Sequence, residues 1–178
     1  MSFEKVKQYF DDVGLSDRIK ILDESSATVQ EAAQALNCEP EHIAKTMSFL
    51  VDSNPLLIVM AGDAKVDNKK FKGEFHKRAR MIPREQVEDY IGHQPGGVCP
   101  FALKDGVKVY LDVSLQRFET IYPAAGDAHS AVQLSLDELT QYANPDHWSM
   151  FAMVGRMIPN CCKIALELKQ NQASILYL

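Results

Sequence analysis

The sequence predicts a single domain of the mixed α/β class. Its 178 residues fit the usual size of one domain, and a hydrophobic content of 46% is enough to bury a core. Short apolar runs with strand character outnumber the long amphipathic helices, and the connections between them are short. We therefore expect residues 1–178 to form one domain in which helices surround a β-sheet.

Helices are expected wherever an amphipathic period or a helix-terminal signal occurs. Apolar residues at helical spacing predict the first helix, and Gly14 ends it. Thr28-Val29-Gln30-Glu31 is a capping box that opens the second helix, Ser135 is an N-cap for the last, and two prolines suit the first turn of others. The expected helices span residues 3–13, 28–36, 40–45, 67–71, 83–90 and 135–142.

Strands are expected where short apolar runs are bounded by turn residues. A turn at 52–55, with the sequence Asp-Ser-Asn-Pro, separates two such runs and predicts a hairpin. Residues 94–100 hold two glycines flanked by two prolines, which cannot continue a helix or a central strand, so this segment is a loop. The expected strands span residues 19–22, 46–51, 56–60, 107–112, 118–122 and 131–134.

Composition excludes several classes of protein. The longest apolar runs fall far short of the ~18 residues of a membrane span, and the first residues, Met-Ser-Phe-Glu-Lys, contain no apolar signal core. The four cysteines form no Cys-x-x-Cys pair, and no His/Cys spacing or glycine-rich phosphate loop indicates a metal or a nucleotide cofactor. We expect a cytoplasmic protein with reduced thiols and neither metal nor cofactor.

The charge is unevenly distributed along the chain. The net charge of −5 argues against a protein that coats nucleic acid non-specifically. Residues 63–84, however, hold eight Lys or Arg against three acidic residues, which leaves this stretch at +5 and the remainder at −10. The stretch is either a solvated helix face or a local surface for phosphates.

Lys45 is the first candidate for chemistry, because we expect it between a short helix and an apolar strand. A lysine at the mouth of a sheet can hold an anionic group as a point charge. The alternative is a lysine that complements the dipole at the carboxyl end of the helix.

The glycine-rich segment 96–100 is the second candidate. Glycines let a ligand approach the backbone closely, and successive N–H groups in such a turn can bind an oxyanion. The alternative is a plain tight turn. Cys99 lies in this segment, but a nucleophilic thiol needs a nearby base and the sequence shows none.

The third candidate is the turn at 125–130, between two strands. Asp127, His129 or Ser130 could line a pocket there and contact an amine or a hydroxyl. The alternative is a polar hairpin with a solvated histidine.

Taken in order, these segments resemble the YbaK/ProX family of free-standing aminoacyl-tRNA editing proteins, which are similar to the editing domain of bacterial prolyl-tRNA synthetases. The resemblance covers roughly residues 19–142. The ordered set is more specific than any single piece, above all Lys-Thr followed by Gly-Gly-x-x-Pro. The pieces are Ala44-Lys45-Thr46, the segments 57–63 and 66–67 with the basic residues after them, 95–101, 109–112, and Ala125-Gly126 before 132–135.

The resemblance implies a mixed sheet, partly closed into a barrel and surrounded by helices. It also implies an enzyme that hydrolyses the ester between a wrong, small amino acid such as Ala or Cys and the 3′-terminal adenosine of tRNA(Pro). The aminoacyl-tRNA acceptor end is then the partner, with prolyl-tRNA synthetase as a second candidate partner, and neither DNA nor a membrane is expected. Under this resemblance the +5 stretch becomes the expected tRNA-facing surface.

The resemblance also assigns roles to individual residues. The catalytic candidates are Lys45, Gly96 and Gly97. The substrate-binding candidates are Thr46, Val98, Cys99, Pro100, Asp127, His129 and Ser130. The tRNA-binding candidates are Lys65, Lys69, Lys70 and Lys72. No metal is implied.

Two features depart from the family pattern, and two alternatives remain. Ile91-Gly92-His93 stands where the family often has Thr-Gly-Tyr, and residues 149–178 match nothing in it, so they could add a helix and a strand or bind a partner. One alternative function is a deacylase for Ser, Thr or other aminoacyl-tRNAs. The other is a non-catalytic module of the same fold that binds tRNA or a synthetase.

Overall fold

A computed structural model gives the structure of the protein, and it describes residues 2–153. The α-helices of this part are α1 (Ser2–Asp12), α2 (Val29–Leu36), α3 (Asn68–Phe75), α4 (Val87–Ile91) and α5 (Leu136–Ala143). The strands are β1 (Ile19–Ile21), β2 (Ile43–Val51), β3 (Asn54–Ala61), β4 (Lys65–Val66), β5 (Lys108–Asp112), β6 (Thr120–Pro123), β7 (Ser130–Val132), β8 (Leu134–Ser135), β9 (His147–Ser149) and β10 (Ala152–Met153).

The main sheet has six strands in the order β8-β6-β2-β3-β5-β9. Strand β3 is antiparallel to β2 and parallel to β5, while β2 is parallel to β6, so the sheet is mixed. Strand β7 pairs with β1, and a bridge between Ala124 and Ala131 links the end of β6 to β7, which curls this side of the sheet. The expected mixed, partly barrel-like sheet with surrounding helices is confirmed.

The core is built on β3, the strand between β2 and β5. Its residues from Leu57 to Ala61 have no solvent exposure, as expected of a strand that is covered on both faces and therefore apolar throughout. Helix α1 buries Val6 and Phe10, and the Phe10 ring meets the ring of Phe101 edge-on at 4.8 Å between centroids. This contact packs α1 just beyond the glycine-rich segment.

Both predicted helix caps are confirmed. The Thr28 hydroxyl accepts the N–H of Glu31 at 3.2 Å, and the Glu31 carboxylate accepts the N–H of Thr28 at 3.1 Å. Ser135 and Glu138 form the same reciprocal pair at the start of α5. Each cap satisfies N–H groups that the first turn of a helix leaves unpaired, which fixes where α2 and α5 begin.

The helix expected at 40–45 is wrong beyond its first turn. A 3₁₀ helix covers Pro40–His42, and β2 begins at Ile43 because its first two residues pair in parallel with β6. Sheet pairing therefore overrides the local helix signal of the proline. Lys45 lies within a strand, so the alternative that it complements a helix dipole is also wrong.

Other boundaries shift by smaller amounts. Helix α3 continues to Phe75, four residues past the expected end, with Asp67 as its N-cap. The strand expected at 131–134 divides into β7 and β8, because β7 pairs with β1 whereas β8 pairs with β6. Within the unmatched tail, residues 149–153 end β9 and form β10, which pairs with β4, and the rest of the tail lies outside the described residues. No helix in the described range is long and apolar enough to cross a membrane.

Candidate functional site

A cleft of about 150 Å³ opens where β2 begins, beside the glycine-rich segment. Residues 43–46 of β2 line one side, and residues 26–29 with Ala32 of α2 line another. Gly96 and Val98 come from the glycine loop, the name used here for residues 94–100. The remaining wall comes from the ends of β6 and β7: Tyr122, Ala124, Ser130 and Ala131.

Lys45 brings the positive charge to this cleft. Its Nζ donates to the carbonyl oxygens of Ala64 at 2.5 Å and Gly62 at 3.3 Å, and an ammonium group has three N–H donors, so one is left for a ligand. Burial lowers the pKa of Lys45 from its ordinary value; Asp63 opposes this shift and Lys65 adds to it. The amine is thus held at a fixed position on the cleft wall.

An ion pair fixes the turn that holds Lys45. Arg117 donates from its two terminal nitrogens to both carboxylate oxygens of Asp63, at 2.9 and 2.5 Å, and from Nε to the Ser114 carbonyl. The Arg117 hydrogen bonds are the main reason why the pKa of Asp63 is lowered. Because Asp63 stands between the two residues whose carbonyls bind Lys45, this pair supports the position of the amine.

The glycine loop begins with a tight turn. The N–H of Gly97 donates to the Gln94 carbonyl at 3.0 Å, with Pro95 and Gly96 as the two central residues. Gly96 has a φ of 96°, which a type II turn requires at this position and which favours glycine. The sequence order Pro-Gly therefore sets the backbone path on this side of the cleft.

The glycine loop packs on a second loop, residues 126–130, here called the Asp127 loop. A Cβ added to Gly97 would lie 2.3 Å from the backbone nitrogen of Asp127 and 2.5 Å from the carbonyl carbon of Gly126. Only glycine allows this approach. The two loops consequently hold each other at the cleft, and Gly97 acts at their junction, outside the lining of the cleft.

In the described part of the chain, two residues of the glycine loop that line the cleft have backbone N–H groups without a hydrogen-bond partner. The N–H of Gly97 is used by the turn, and the N–H of Cys99 donates to Nδ1 of His93 at 3.2 Å. Gly96 and Val98, which line the cleft, have N–H groups with no partner among residues 2–153. They are the donors that this loop can offer to an oxyanion.

The other loop residues named from the sequence are placed differently. Cys99 has no solvent exposure, burial raises its pKa to about 12, and neither it nor Pro100 lines the cleft. A thiol with that pKa is not ionised near neutral pH and is no nucleophile as it stands. Thr46 lines the cleft, and its hydroxyl oxygen is buried with no partner in the described part of the chain.

The Asp127 loop contributes one of its three predicted residues to the cleft. Asp127 accepts the Ser130 hydroxyl at 2.5 Å and the His129 N–H at 2.9 Å, so its carboxylate closes its own turn. Ser130 lines the cleft, while Asp127 does not and the His129 side chain is exposed. The loop therefore shapes the cleft more than it supplies reactive groups.

The predicted tRNA-binding lysines lie in one region next to the turn that holds Lys45. Lys65 is in β4 and exposed; the other three, here called the α3 lysines, are Lys69, Lys70 and Lys72. Lys69 and Lys72 are exposed, while the amine of Lys70 donates to the Ala152 carbonyl at 2.6 Å. None of them lines the cleft, so any role is on the surface beside it.

The sequence reasoning missed most of the apolar wall. Ala27, Ala32, Ala44, Ala124 and Ala131 all line the cleft, although they come from four separate parts of the chain. The capping box marked the start of α2, but nothing in the sequence tied that start to Lys45. Among residues 2–153, no group of His, Cys, Asp or Glu could hold a metal ion.

Comparisons with known proteins identify the family. The model of the aminoacyl-tRNA editing domain matches residues 23–142. The chain is 41% identical over 149 residues to the uncharacterized protein YwhH of Bacillus subtilis, which covers 83% of this chain and 95% of YwhH. It is 30% identical over 106 residues to a proline–tRNA ligase of Limosilactobacillus fermentum, covering 56% of this chain and 18% of the ligase.

A solved structure agrees in fold. The crystal structure of a candidate trans-editing enzyme for prolyl tRNA synthetase superposes with a TM-score of 0.76 at 23% identity, over 85% of this chain and 97% of that one. The family match spans the cleft, from the residues before α2 through Lys45 and the glycine loop to the Asp127 loop. The chain belongs to the family of aminoacyl-tRNA editing domains.

Proposed function

We propose that the protein is an aminoacyl-tRNA deacylase that acts in trans. It hydrolyses the ester between a small amino acid, such as Ala or Cys, and the 3′-terminal adenosine of a tRNA, with tRNA(Pro) as the expected carrier. One observation carries this proposal: a small cleft in an editing-domain family member is lined by Lys45 and by Gly96 and Val98, whose N–H groups have no partner among residues 2–153. The similarity to proline–tRNA ligases supports tRNA(Pro).

The size of the cleft supports small substrates. Its volume is about 150 Å³ and five of its lining residues are alanines, which favours a small side chain over a bulky one. A synthetase site cannot exclude a smaller amino acid by more than about 10–200-fold per methylene-sized difference, and a second hydrolytic site is the usual remedy. The small volume of the cleft supports its assignment as such a second site.

The chemistry of the cleft favours charge stabilisation over a protein nucleophile. Among the residues that line it, Lys45 and Tyr122 are the titratable ones, and none is Asp, Glu, His or Cys. In the net reaction the oxygen of water adds to the ester carbon, and the bond from that carbon to the ribose oxygen breaks. The N–H groups of Gly96 and Val98 stabilise the charge that develops on the carbonyl oxygen. Lys45 binds the ribose or the terminal phosphate.

The surface charge fits a partner that is bound at its acceptor end. The +5 stretch, residues 63–84, lies next to the turn that holds Lys45, on a chain whose net charge is −5. A protein that needs few phosphate contacts binds tRNA weakly, and its acidic remainder limits binding elsewhere. We expect modest, salt-sensitive affinity for tRNA.

Deacylation of a panel of charged tRNAs tests the proposal. Ala, Cys, Ser, Thr and Pro are each loaded on tRNA(Pro), and Ala and Ser are also loaded on their own tRNAs. We expect rapid release of Ala or Cys from tRNA(Pro) and little release of Pro. Preferred release of Ser or Thr, or equal release from other tRNAs, would replace the proposed substrate. No release from any of them at micromolar protein would leave a binding module.

A further inference from the structure

We propose that His93 is a positioning residue for the glycine loop: its imidazole binds the N–H of Cys99 and so keeps the N–H groups of Gly96 and Val98 in place at the cleft. The catalytic part of this proposal rests on the proposed deacylase function. The geometric part concerns the loop itself and stands independently of the substrate.

His93 closes the glycine loop through a hydrogen bond to its far end. It follows Gly92, the residue with a φ of 92° that ends α4, and it directly precedes the turn at Gln94. Its Nδ1 accepts the N–H of Cys99 at 3.2 Å, so a side chain joins the residue before the loop to a residue near the end of the loop. Neither His93 nor Cys99 has any solvent exposure. Among the described residues, the other backbone hydrogen bond within this loop is the turn from Gly97 to Gln94.

The protonation state of His93 suits this task. Burial lowers its pKa to about 4; Lys5 adds to that shift, and the carbonyls of Ala102 and Phe101 oppose it. The imidazole is therefore neutral at physiological pH, and its Nδ1 lone pair is available to an N–H donor. The proton then resides on Nε2, which has no hydrogen-bond partner in the described part of the chain.

A Cys–His catalytic pair is excluded by the same contacts. The Cys99 sulfur lies 3.5 Å from Nδ1, but that nitrogen already accepts the N–H of Cys99. The thiol is fully buried, its pKa is raised to about 12, and its weak contact is with the Phe101 carbonyl at 3.9 Å. Neither group reaches the cleft, so the pair acts on the backbone and not on the substrate.

The hydrogen bond to the Cys99 N–H depends on an acceptor atom in the side chain at position 93. The family resemblance implies a tyrosine at the position of His93, and a tyrosine ring has no acceptor atom at the position of Nδ1. An asparagine does, because its side-chain oxygen can occupy nearly the same place. Phenylalanine keeps the ring bulk and removes the acceptor. These two substitutions therefore separate the hydrogen bond from the packing.

The test compares His93→Phe and His93→Asn with a core variant, Leu139→Ala, whose side chain is fully buried in α5 outside the cleft. For the variant H93F we expect kcat for deacylation to fall about 10–100-fold with KM changed less than about threefold, since one misplaced oxyanion donor costs up to about 10²–10³. The variant H93N should recover kcat to within about threefold of wild type. The variant L139A, with a comparable loss of melting temperature, should keep the wild-type kcat.

Amide hydrogen exchange without substrate completes the test. The N–H of Cys99 should be protected in wild type and in H93N and should exchange faster in H93F. Protection of this amide in H93F, or a kcat for H93F that equals that of wild type or is not restored in H93N, would overturn the positioning role. If wild type deacylates nothing, the proposed function fails while the exchange data still decide whether His93 holds the loop.

Discussion

Replacing Gly97 by alanine should separate the two loops that form the cleft. The added Cβ would lie 2.3 Å from the nitrogen and 2.4 Å from the Cα of Asp127, where ordinary contacts are 3.4–4 Å. Both obstacles are backbone atoms and cannot rotate away, so the loops must move apart by about 1 Å. A displacement of that size at a catalytic site can cost about 100-fold in rate. Overpacking of this kind costs about 1–3 kcal/mol, or a melting temperature lower by about 2–12 °C.

The assay pairs deacylation of mischarged tRNA with thermal unfolding, and Gly73→Ala is the matched control. Gly73 lies in α3, has no atom within 4 Å of an added Cβ, and has no strained φ. Alanine there should stabilise the protein by about 0.5–1 kcal/mol without slowing deacylation. A Gly97→Ala protein with the melting temperature and rate of wild type would refute the close packing of the two loops.

Two further predictions concern charge. Reversal of the α3 lysines to glutamate should weaken tRNA binding and lower the slope of its salt dependence by about 2–3 units, since each phosphate contact contributes about 0.7–0.9. As a control, reversal of Lys7 and Lys108, which are exposed lysines elsewhere, should change the slope less. Equal effects of the two sets would indicate that the α3 lysines are only a solvated helix face. For Asp63, the lowered pKa means that its pair with Arg117 stabilises the protein above the unfolded pKa of about 4 and loses this effect as pH falls through the folded value. Urea unfolding should show Asp63→Asn less stable by about 1 kcal/mol or less at pH 7, with the difference shrinking below pH 4; a difference that grows on acidification would contradict the ion pair.

The sequence predicts the elements of this fold better than their boundaries. Local signals, such as the capping box at Thr28, the N-cap Ser135 and the Pro and Gly residues that predict the glycine loop, act through neighbouring residues and were read correctly. The start of β2 was misplaced because its first residues are held by β6, a strand nearly eighty positions away. Such pairing leaves no local signal at Pro40.

The candidate site was likewise predicted only in part from the sequence. Lys45 and Gly96 carry side-chain or backbone features that stand out in the sequence, and the structure places both on the cleft. The alanines of the wall and the Asp63–Arg117 pair come from distant segments, and alanine has no chemistry that would single it out. Cys99 stood out in the sequence by residue type alone, but in the structure it is buried and does not line the cleft.

The most direct test of the proposed deacylase site is single-turnover deacylation of Ala-tRNA(Pro) and Cys-tRNA(Pro) by wild type, Lys45→Ala and Lys108→Ala. Lys108 is exposed and pairs with Leu56 at one end of β3, whereas Lys45 pairs with Met60 near the other end. The Lys108 variant therefore controls for the loss of a positive charge away from the cleft. We expect release by wild type and by the Lys108 variant, and a rate about 100-fold lower for Lys45→Ala. Release at the wild-type rate in Lys45→Ala would contradict the assignment of the cleft, and no release by wild type would contradict the deacylase function itself.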